Sequence, residues 1–241
     1  MIFIILAAGK GTRLYPLTEK IPKCLVKYQG KTILDYQLDN CKQFKIKKIV
    51  LVTGYKSTVI KRKNIIKIKN EKFMKTNMLY SLFKAKMLFD GSDDIIISYG
   101  DIIYKSNVLR KLINTKESIS TVIDKKWYTY WKKRMKNPIN DVESLVLNKK
   151  NYIIDIGKKV KNLNNIHGQY IGLTKISKDV SKKILETWID LNKKQNKKKI
   201  NNLYITDFLR ILLKKRYLIK AVLINRGWLE FDKPGDLKIK F

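Results

Sequence analysis

Two glycines, a lysine and an arginine crowd one turn near the start of the chain, Leu6-Ala7-Ala8-Gly9-Lys10-Gly11-Thr12-Arg13-Leu14. The apolar run Ile2 to Leu6 that feeds it has the pattern of a strand buried on both faces. Small residues after a strand let backbone N–H groups converge on an anion without interference from Cβ atoms, and Lys10 and Arg13 add positive charge. Such a turn can cradle phosphate. It matches neither common phosphate loop, lacking the third glycine of the dinucleotide fingerprint and the Gly-Lys-Ser/Thr ending of the P-loop. On its glycines alone it is also consistent with an ordinary strand-to-helix turn. Ten residues beyond Arg13, Lys23 stands in Ile21-Pro22-Lys23-Cys24-Leu25, an apolar, strand-like run. A second station is Ile95-Ile96-Ile97-Ser98-Tyr99-Gly100-Asp101, a buried strand ending in one carboxylate. Asp101 either caps the helix that follows or holds Mg²⁺, a hard cation that takes one or two carboxylates plus phosphate oxygens.

The third station is Trp127-Tyr128-Thr129-Tyr130-Trp131 with Arg134, followed by Pro138, Asp141 and Glu143. Four aromatics in five residues cannot all face one core, so some should line a surface or pocket. Aromatic faces attract quaternary ammonium groups, and carboxylates such as Asp141, Glu143 and Glu230 attract primary ones. The alternative is that Trp127 and Trp131 pack at i, i+4 and the acids pair with nearby lysines. His167, the only histidine, precedes a strand and reads as structural. Cys24 and Cys41 have no Cys or His neighbours for a disulfide framework or a zinc site, and Cys24 reads as filler of the hydrophobic floor.

The elements that must position these residues follow from hydrophobic spacing. Buried strands are expected at Ile2 to Leu6, Ile49 to Thr53 and Asp94 to Ser98. Helices are expected at about Thr32 to Phe44, Leu79 to Leu88 and Ser106 to Ile113, and a short helix and then a strand at Ile65 to Ile68 in the lysine-rich stretch between 60 and 70. This alternation argues for βαβ units around a parallel sheet, whose ligands bind beyond the carboxyl ends of the strands. Later come strands at Ser120 to Asp124, Ser144 to Leu147, Tyr152 to Asp155 and Gln169 to Thr174, and helices at Lys178 to Leu191 and Thr206 to Lys214. Asn192 to Asn202, a lysine and asparagine tract, reads as an exposed loop. With 241 residues, 44% of them hydrophobic, the chain can bury a full core, which excludes wholesale disorder. Fifty-three Lys and Arg against 20 Asp and Glu give +33. Only seven of the basic residues are Arg, whereas nucleic-acid grooves favour its planar fork, so the charge reads as a basic surface that would still attract a polyanionic nucleotide. The absence of a signal-peptide pattern or a membrane-spanning stretch leads to the expectation of a cytoplasmic protein without membrane insertion.

The glycine turn, continued through Pro22 and Lys23, resembles the amino-terminal signature of the nucleotidyltransferases that activate sugar phosphates and phosphocholine: Leu-Ala-Ala-Gly-x-Gly-Thr-Arg-Leu, then Pro-Lys. Gly227-Trp228-Leu229-Glu230-Phe231-Asp232-Lys233-Pro234-Gly235-Asp236-Leu237 resembles the family's carboxyl-terminal motif, with Lys233 where Thr or Ser is usual, which leaves the local capping open. Asn77-Met78-Leu79-Tyr80-Ser81-Leu82 resembles the helix start beside the nucleotide base in the phosphocholine branch. The Trp127 to Arg134 run with Asp141 and Glu143 resembles cytidylyltransferases acting on phosphocholine, aminoalkylphosphonates and phosphorylated amino acids.

The resemblance implies an α/β fold, a doubly wound, mostly parallel sheet with an acceptor-binding insertion. In it, residues 1–119 form a nucleotide-binding core, 120–203 the acceptor-binding part and 204–241 a return to the core. It implies catalytic roles for Arg13 and Lys23. Nucleotide contacts are implied for Leu6, Ala7, Ala8, Gly9, Lys10, Gly11, Thr12, Arg13, Asn77, Ser81 and Gly100, and Mg²⁺ ligation for Asp101 and Asp232. Acceptor contacts are implied for Trp127, Tyr128, Trp131, Arg134, Asp141, Glu143, Tyr170, Trp228 and Glu230. The reaction expected is CMP transfer from CTP to a small phosphorylated or phosphonylated acceptor with a cationic tail, releasing pyrophosphate, with no nucleic-acid partner. Two rivals stay open: a hexose-1-phosphate nucleotidyltransferase using UTP or dTTP, and a nucleic-acid-binding protein with a catalytically inactive fold. The sequence leaves the oligomeric state undefined.

Overall fold

Strand Ile2–Ala7 is buried along its whole length, with Phe3, Ile5 and Ala7 in one core and Ile2, Ile4 and Leu6 in another. Successive side chains alternate across a strand, so both faces of the sheet built on it must be covered. In the computed structural model, which describes residues 1–164 and 166–241, helices Ile33–Gln43 and Ser106–Ile113 cover the first face. Helices Met78–Lys84, Lys178–Lys194 and Ile205–Lys214 cover the second.

The sheet has seven strands, in the order Lys220–Ile224, Ile119–Asp124, Gln169–Ile176, Ile95–Tyr99, Ile2–Ala7, Lys48–Thr53 and Ile66–Lys69. All run parallel except Gln169–Ile176, which is antiparallel to both neighbours. The fold is therefore the expected doubly wound, mostly parallel α/β sheet. Of the stretch 120–203, strands Ile119–Asp124 and Gln169–Ile176 lie inside the sheet, while helices Lys178–Lys194 and Lys197–Asn201 and strands Glu143–Leu147 and Ile153–Lys159 lie outside it.

Three local expectations change. The short helix expected before Ile65 is not formed: residues 60–65 hold only a turn before strand Ile66–Lys69. Ile21 to Leu25 is not a strand: Pro22 has no N–H to give a ladder, and Leu25 and Val26 donate to Pro22 O and Lys23 O, closing the turn Lys23–Leu25. Asn192 to Asn202 is not a loop: helix Lys178–Lys194 runs into it and a second, Lys197–Asn201, follows, started by the Asn196 side chain accepting from Lys198 N–H. Its single anchor, the fully buried Ile200, is hidden in the sequence by the charge around it. Lysine is itself a good helix former.

Among the described residues, no helix is long and apolar enough to cross a membrane. Cys24 and Cys41 are free and buried, and burial pushes each thiol up to about 12. Since only the thiolate reacts, neither should be labelled by Ellman's reagent in the native protein at pH 8, and both should be after denaturation. A fast-reacting native thiol would contradict this packing.

Candidate active site

The carboxyl ends of the parallel strands meet at one edge of the sheet, and there the glycine turn begins. Gly11 adopts φ +66°, and a Cβ on it would stand 3.0 Å from Lys23 Cβ, so the glycine is what lets Lys23 pack against the turn. Gly100 is required next door: its Cβ would lie 2.6 Å from Leu6 O. Gly100 N–H donates to that same carbonyl, and Gln37 Nε2 donates to Tyr99 O and Ile102 O, both at 2.8 Å, pinning the segment that carries Asp101.

Strand Trp228–Glu230 pairs antiparallel with Ile102–Tyr104, and Phe231 N–H donates to Asp101 O. This pairing brings Asp232 to Asp101. Lys23 Nζ donates to both, at 2.7 Å to Asp101 Oδ2 and 2.5 Å to Asp232 Oδ1. The other Asp232 oxygen meets Arg13 at 3.1 Å and Arg134 at 3.3 Å. Arg134, whose side chain is 2% exposed, also reaches Glu230 at 2.5 Å and Asp236 at 3.2 Å. The Asp236 carboxylate in turn accepts from Asp232 N–H and Lys233 N–H, so the capping left open by Lys233 is supplied three residues later.

Three basic side chains thus meet four carboxylates, a net negative centre in a protein of charge +33. Burial disfavours the Lys23 ammonium, but Asp101 and Asp232 outweigh it and hold its pKa above the ordinary value. Burial likewise opposes ionisation of Asp232, and Lys23 and the two arginines reverse the effect, keeping its carboxyl below the usual range. Glu230 goes the other way, pushed up to about 7 by burial and by the carboxylates beside it, against the pull of Arg134. Partial desolvation also raises the half-buried Glu143, and it raises Asp141 although that residue remains exposed.

These groups line one cavity of about 470 Å³. Its wall includes Leu6, Ala7, Ala8, Gly9, Gly11, Thr12, Arg13, Asn77, Ser81 and Gly100, together with Lys23, Asp101 and Asp232 and with Trp131, Asp141, Glu143, Tyr170, Trp228 and Glu230. Asn77 caps helix Met78–Lys84, its carbonyl accepting from Met78 N–H. Asp101 caps no helix.

Four expected contacts fall outside the cavity. Lys10 is exposed, its ammonium over the Tyr55 ring. Trp127 is buried edge-on against Trp131, and Tyr128 faces outward beneath Lys132. Arg134 lies behind the wall, holding the carboxylates. The aromatic run is therefore largely core, since Trp127, Tyr130 and Trp131 are all buried in helix Trp127–Arg134 and only Trp131 of the four aromatics reaches the cavity. His167 is structural, accepting from Leu147 N–H through Nδ1.

Gln169, Tyr204 and Thr206 also line the cavity, although the sequence drew no attention to them. Gln169 opens the one antiparallel strand, so its amino end sits where the other strands have their carboxyl ends. Pairing direction alone marks it, and that is not written in the local pattern.

Asp101, Glu230 and Asp232 offer oxygens all within 4.8 Å of one another, and Asp101 Oδ1 is buried with no hydrogen-bond partner among the described residues. This is an all-oxygen set of the type a hard divalent ion takes.

The comparisons with known proteins agree with this geometry. A family model described as "Nucleotidyl transferase" matches residues 2–129. The chain belongs to the nucleotidyl transferase family. Over 248 aligned positions, 98% of each chain, it is 40% identical to the CTP:phosphoglutamine cytidylyltransferase of Campylobacter jejuni subsp. jejuni serotype O:2. Two solved structures share the fold. One is a CTP:phosphocholine cytidylyltransferase from Streptococcus pneumoniae (TM-score 0.73, 22% identity, 98% of this chain and 96% of that one). The other is a putative glucose-1-phosphate thymidylyltransferase from Bacillus anthracis (TM-score 0.75, 20% identity, 99% and 92%).

The two arginines on Asp232 should differ sharply in energetic weight. Arg134→Met leaves Glu230 and Asp236 without their cation in a buried setting and should cost about 3–5 kcal/mol in urea unfolding. Arg13, with its side chain 60% exposed, should cost less than about 1 kcal/mol as Arg13→Met. Equal losses would contradict the burial of the network.

Proposed function

We propose that the protein transfers a cytidylyl group from CTP to a small acceptor that carries a phosphate or phosphonate and a cationic tail, with Mg²⁺ as cofactor. The observation that carries this reading is Lys23, held between Asp101 and Asp232 in a cavity that the glycine turn and a cluster of acids also line. The near full-length similarity to a CTP-dependent cytidylyltransferase supports the choice of nucleotide and the class of acceptor.

An acceptor phosphate oxygen would attack the α-phosphorus of CTP. One P–O bond forms, the bond from the α-phosphorus to the pyrophosphate oxygen breaks, and pyrophosphate leaves with the electron pair. The nucleophile is already an anion, so no general base is needed. The protein supplies position and charge. Backbone N–H groups of the turn from Gly9 to Thr12, with Arg13, would hold the triphosphate, and Asn77, Ser81 and Gly100 the nucleoside. Lys23 would neutralise charge developing between the two phosphates. Asp101, Glu230 and Asp232 would hold Mg²⁺, which when bound offsets phosphate charge. Glu143, which is half-buried, and Asp141, which is exposed, would face the cationic tail, since their negative charge complements it.

A neutral hexose would leave the charge of those acids unmatched, which disfavours the sugar-phosphate alternative. Magnesium-dependent pyrophosphate release from CTP with phosphoglutamine, 2-aminoethylphosphonate, phosphocholine and glucose-1-phosphate tests the reading. A cationic acceptor should be best, and preference for glucose-1-phosphate would overturn it. Lys23→Ala should lower kcat/KM by about a hundredfold or more while circular dichroism stays native, because Asp232 keeps two arginines. Near-normal turnover in that variant would remove Lys23 from the mechanism.

A further inference from the structure

Where an aromatic cage would present open ring faces, Trp131 and Gln169 in the cavity wall carry unpaired hydrogen-bonding atoms. Trp131 is 2% exposed, and its Nε1 lies buried with no acceptor among the described residues. The Arg134 guanidinium lies over its ring, 5.0 Å from the centroid, and Trp228 packs against it at 5.9 Å, tilted by 44°. Arg134 covers the ring from behind the wall and Trp228 crowds it, so the nearly fully buried ring offers a ligand no open π-face, and its unpaired atom is the indole N–H. Tyr170 does not complete a cage: its ring is set edge-to-face against Tyr99 and its hydroxyl pairs with Thr174.

Gln169 supplies the complementary atom. Its Oε1 is buried and unpartnered among the described residues, on a side chain that lines the same cavity. A carbonyl oxygen can only accept a hydrogen bond, and leaving it desolvated beside a group with no N–H carries the full penalty of an unmade bond. A trimethylammonium group has no N–H to give. Ammonium and amide groups do, and a carbonyl or carboxylate oxygen on the same tail can take the Trp131 N–H.

Resting on the cytidylyl-transfer reading, we infer that Gln169 and Trp131 set acceptor specificity, selecting a tail with N–H donors and an oxygen acceptor, of amino-acid type, against trimethylammonium. Glu143, hydrogen-bonded to Thr206 at 3.4 Å, and Asp141 line the cavity with them and supply charge to hold the cationic part of such a tail.

The test uses acceptors that differ only by three methyl groups. With CTP and Mg²⁺, phosphoethanolamine should give a kcat/KM about tenfold or more above that of phosphocholine. Gln169→Leu should collapse that ratio towards one by losing turnover of phosphoethanolamine. Trp131→Phe, which keeps an aromatic ring and removes the N–H, should lose more on a phosphorylated amino acid such as phosphoserine than on phosphoethanolamine. CTP affinity by calorimetry should be unchanged in both variants, which checks their folding; if either fails it, the wild-type ratio stands alone as the test. Phosphocholine turned over as well as phosphoethanolamine would overturn the inference while cytidylyl transfer stands. Absence of pyrophosphate release with every acceptor would overturn the cytidylyl reading itself.

Discussion

One carboxylate joins the parts of this molecule that must act together. Asp232 takes Lys23 on one oxygen and Arg13 and Arg134 on the other, so it ties the glycine turn, the segment after it and the aromatic helix to a single point. Each partner comes from a different element, and none is near Asp232 in sequence. A buried carboxylate is tolerable only when it is compensated. Asp232 therefore requires these elements to close around it, and that closure shapes the cavity.

The charge arrangement runs against the composition. A chain of +33 places a net negative cluster at its centre and recruits arginine, scarce in this sequence, for the deepest cation. Arginine suits that place because its planar fork reaches Glu230, Asp232 and Asp236 at once, which a point charge on lysine cannot do. The Tyr130 hydroxyl reinforces the same join, accepting from Glu230 N–H at 2.8 Å and donating to its carbonyl. Nearby, the fully buried Asp124 accepts from Trp228 Nε1 and from Arg226, fixing the indole that backs Trp131. Trp131, Trp228 and the carboxylates around Arg134 are thus joined in one network.

What could be read from the sequence was local. The glycine turn, the strand before it and the Gly100-Asp101 step are contiguous segments whose spacing carries their geometry, and their positions in the structure match. The role of Arg134 was not legible, because its partners lie about a hundred residues away and an arginine beside aromatics looks like a ligand contact. The aromatic run was legible as a helix with crowded rings, but its facing depends on Trp228, a tertiary neighbour. Gln169 was missed for a topological reason, since a single antiparallel strand inverts the rule that sites lie at carboxyl ends. Helix Lys197–Asn201 was missed because a lysine tract concealed its one buried isoleucine.

The claim that Asp232 is the junction is tested most directly by hydrogen exchange in Asp232→Asn. Loss of the charge should weaken the hold on all three partners at once, so backbone amides should exchange faster in two remote segments, the turn Gly11 to Tyr15 and helix Trp127–Arg134, as well as around residue 232. Faster exchange confined to the loop around residue 232 would contradict the account.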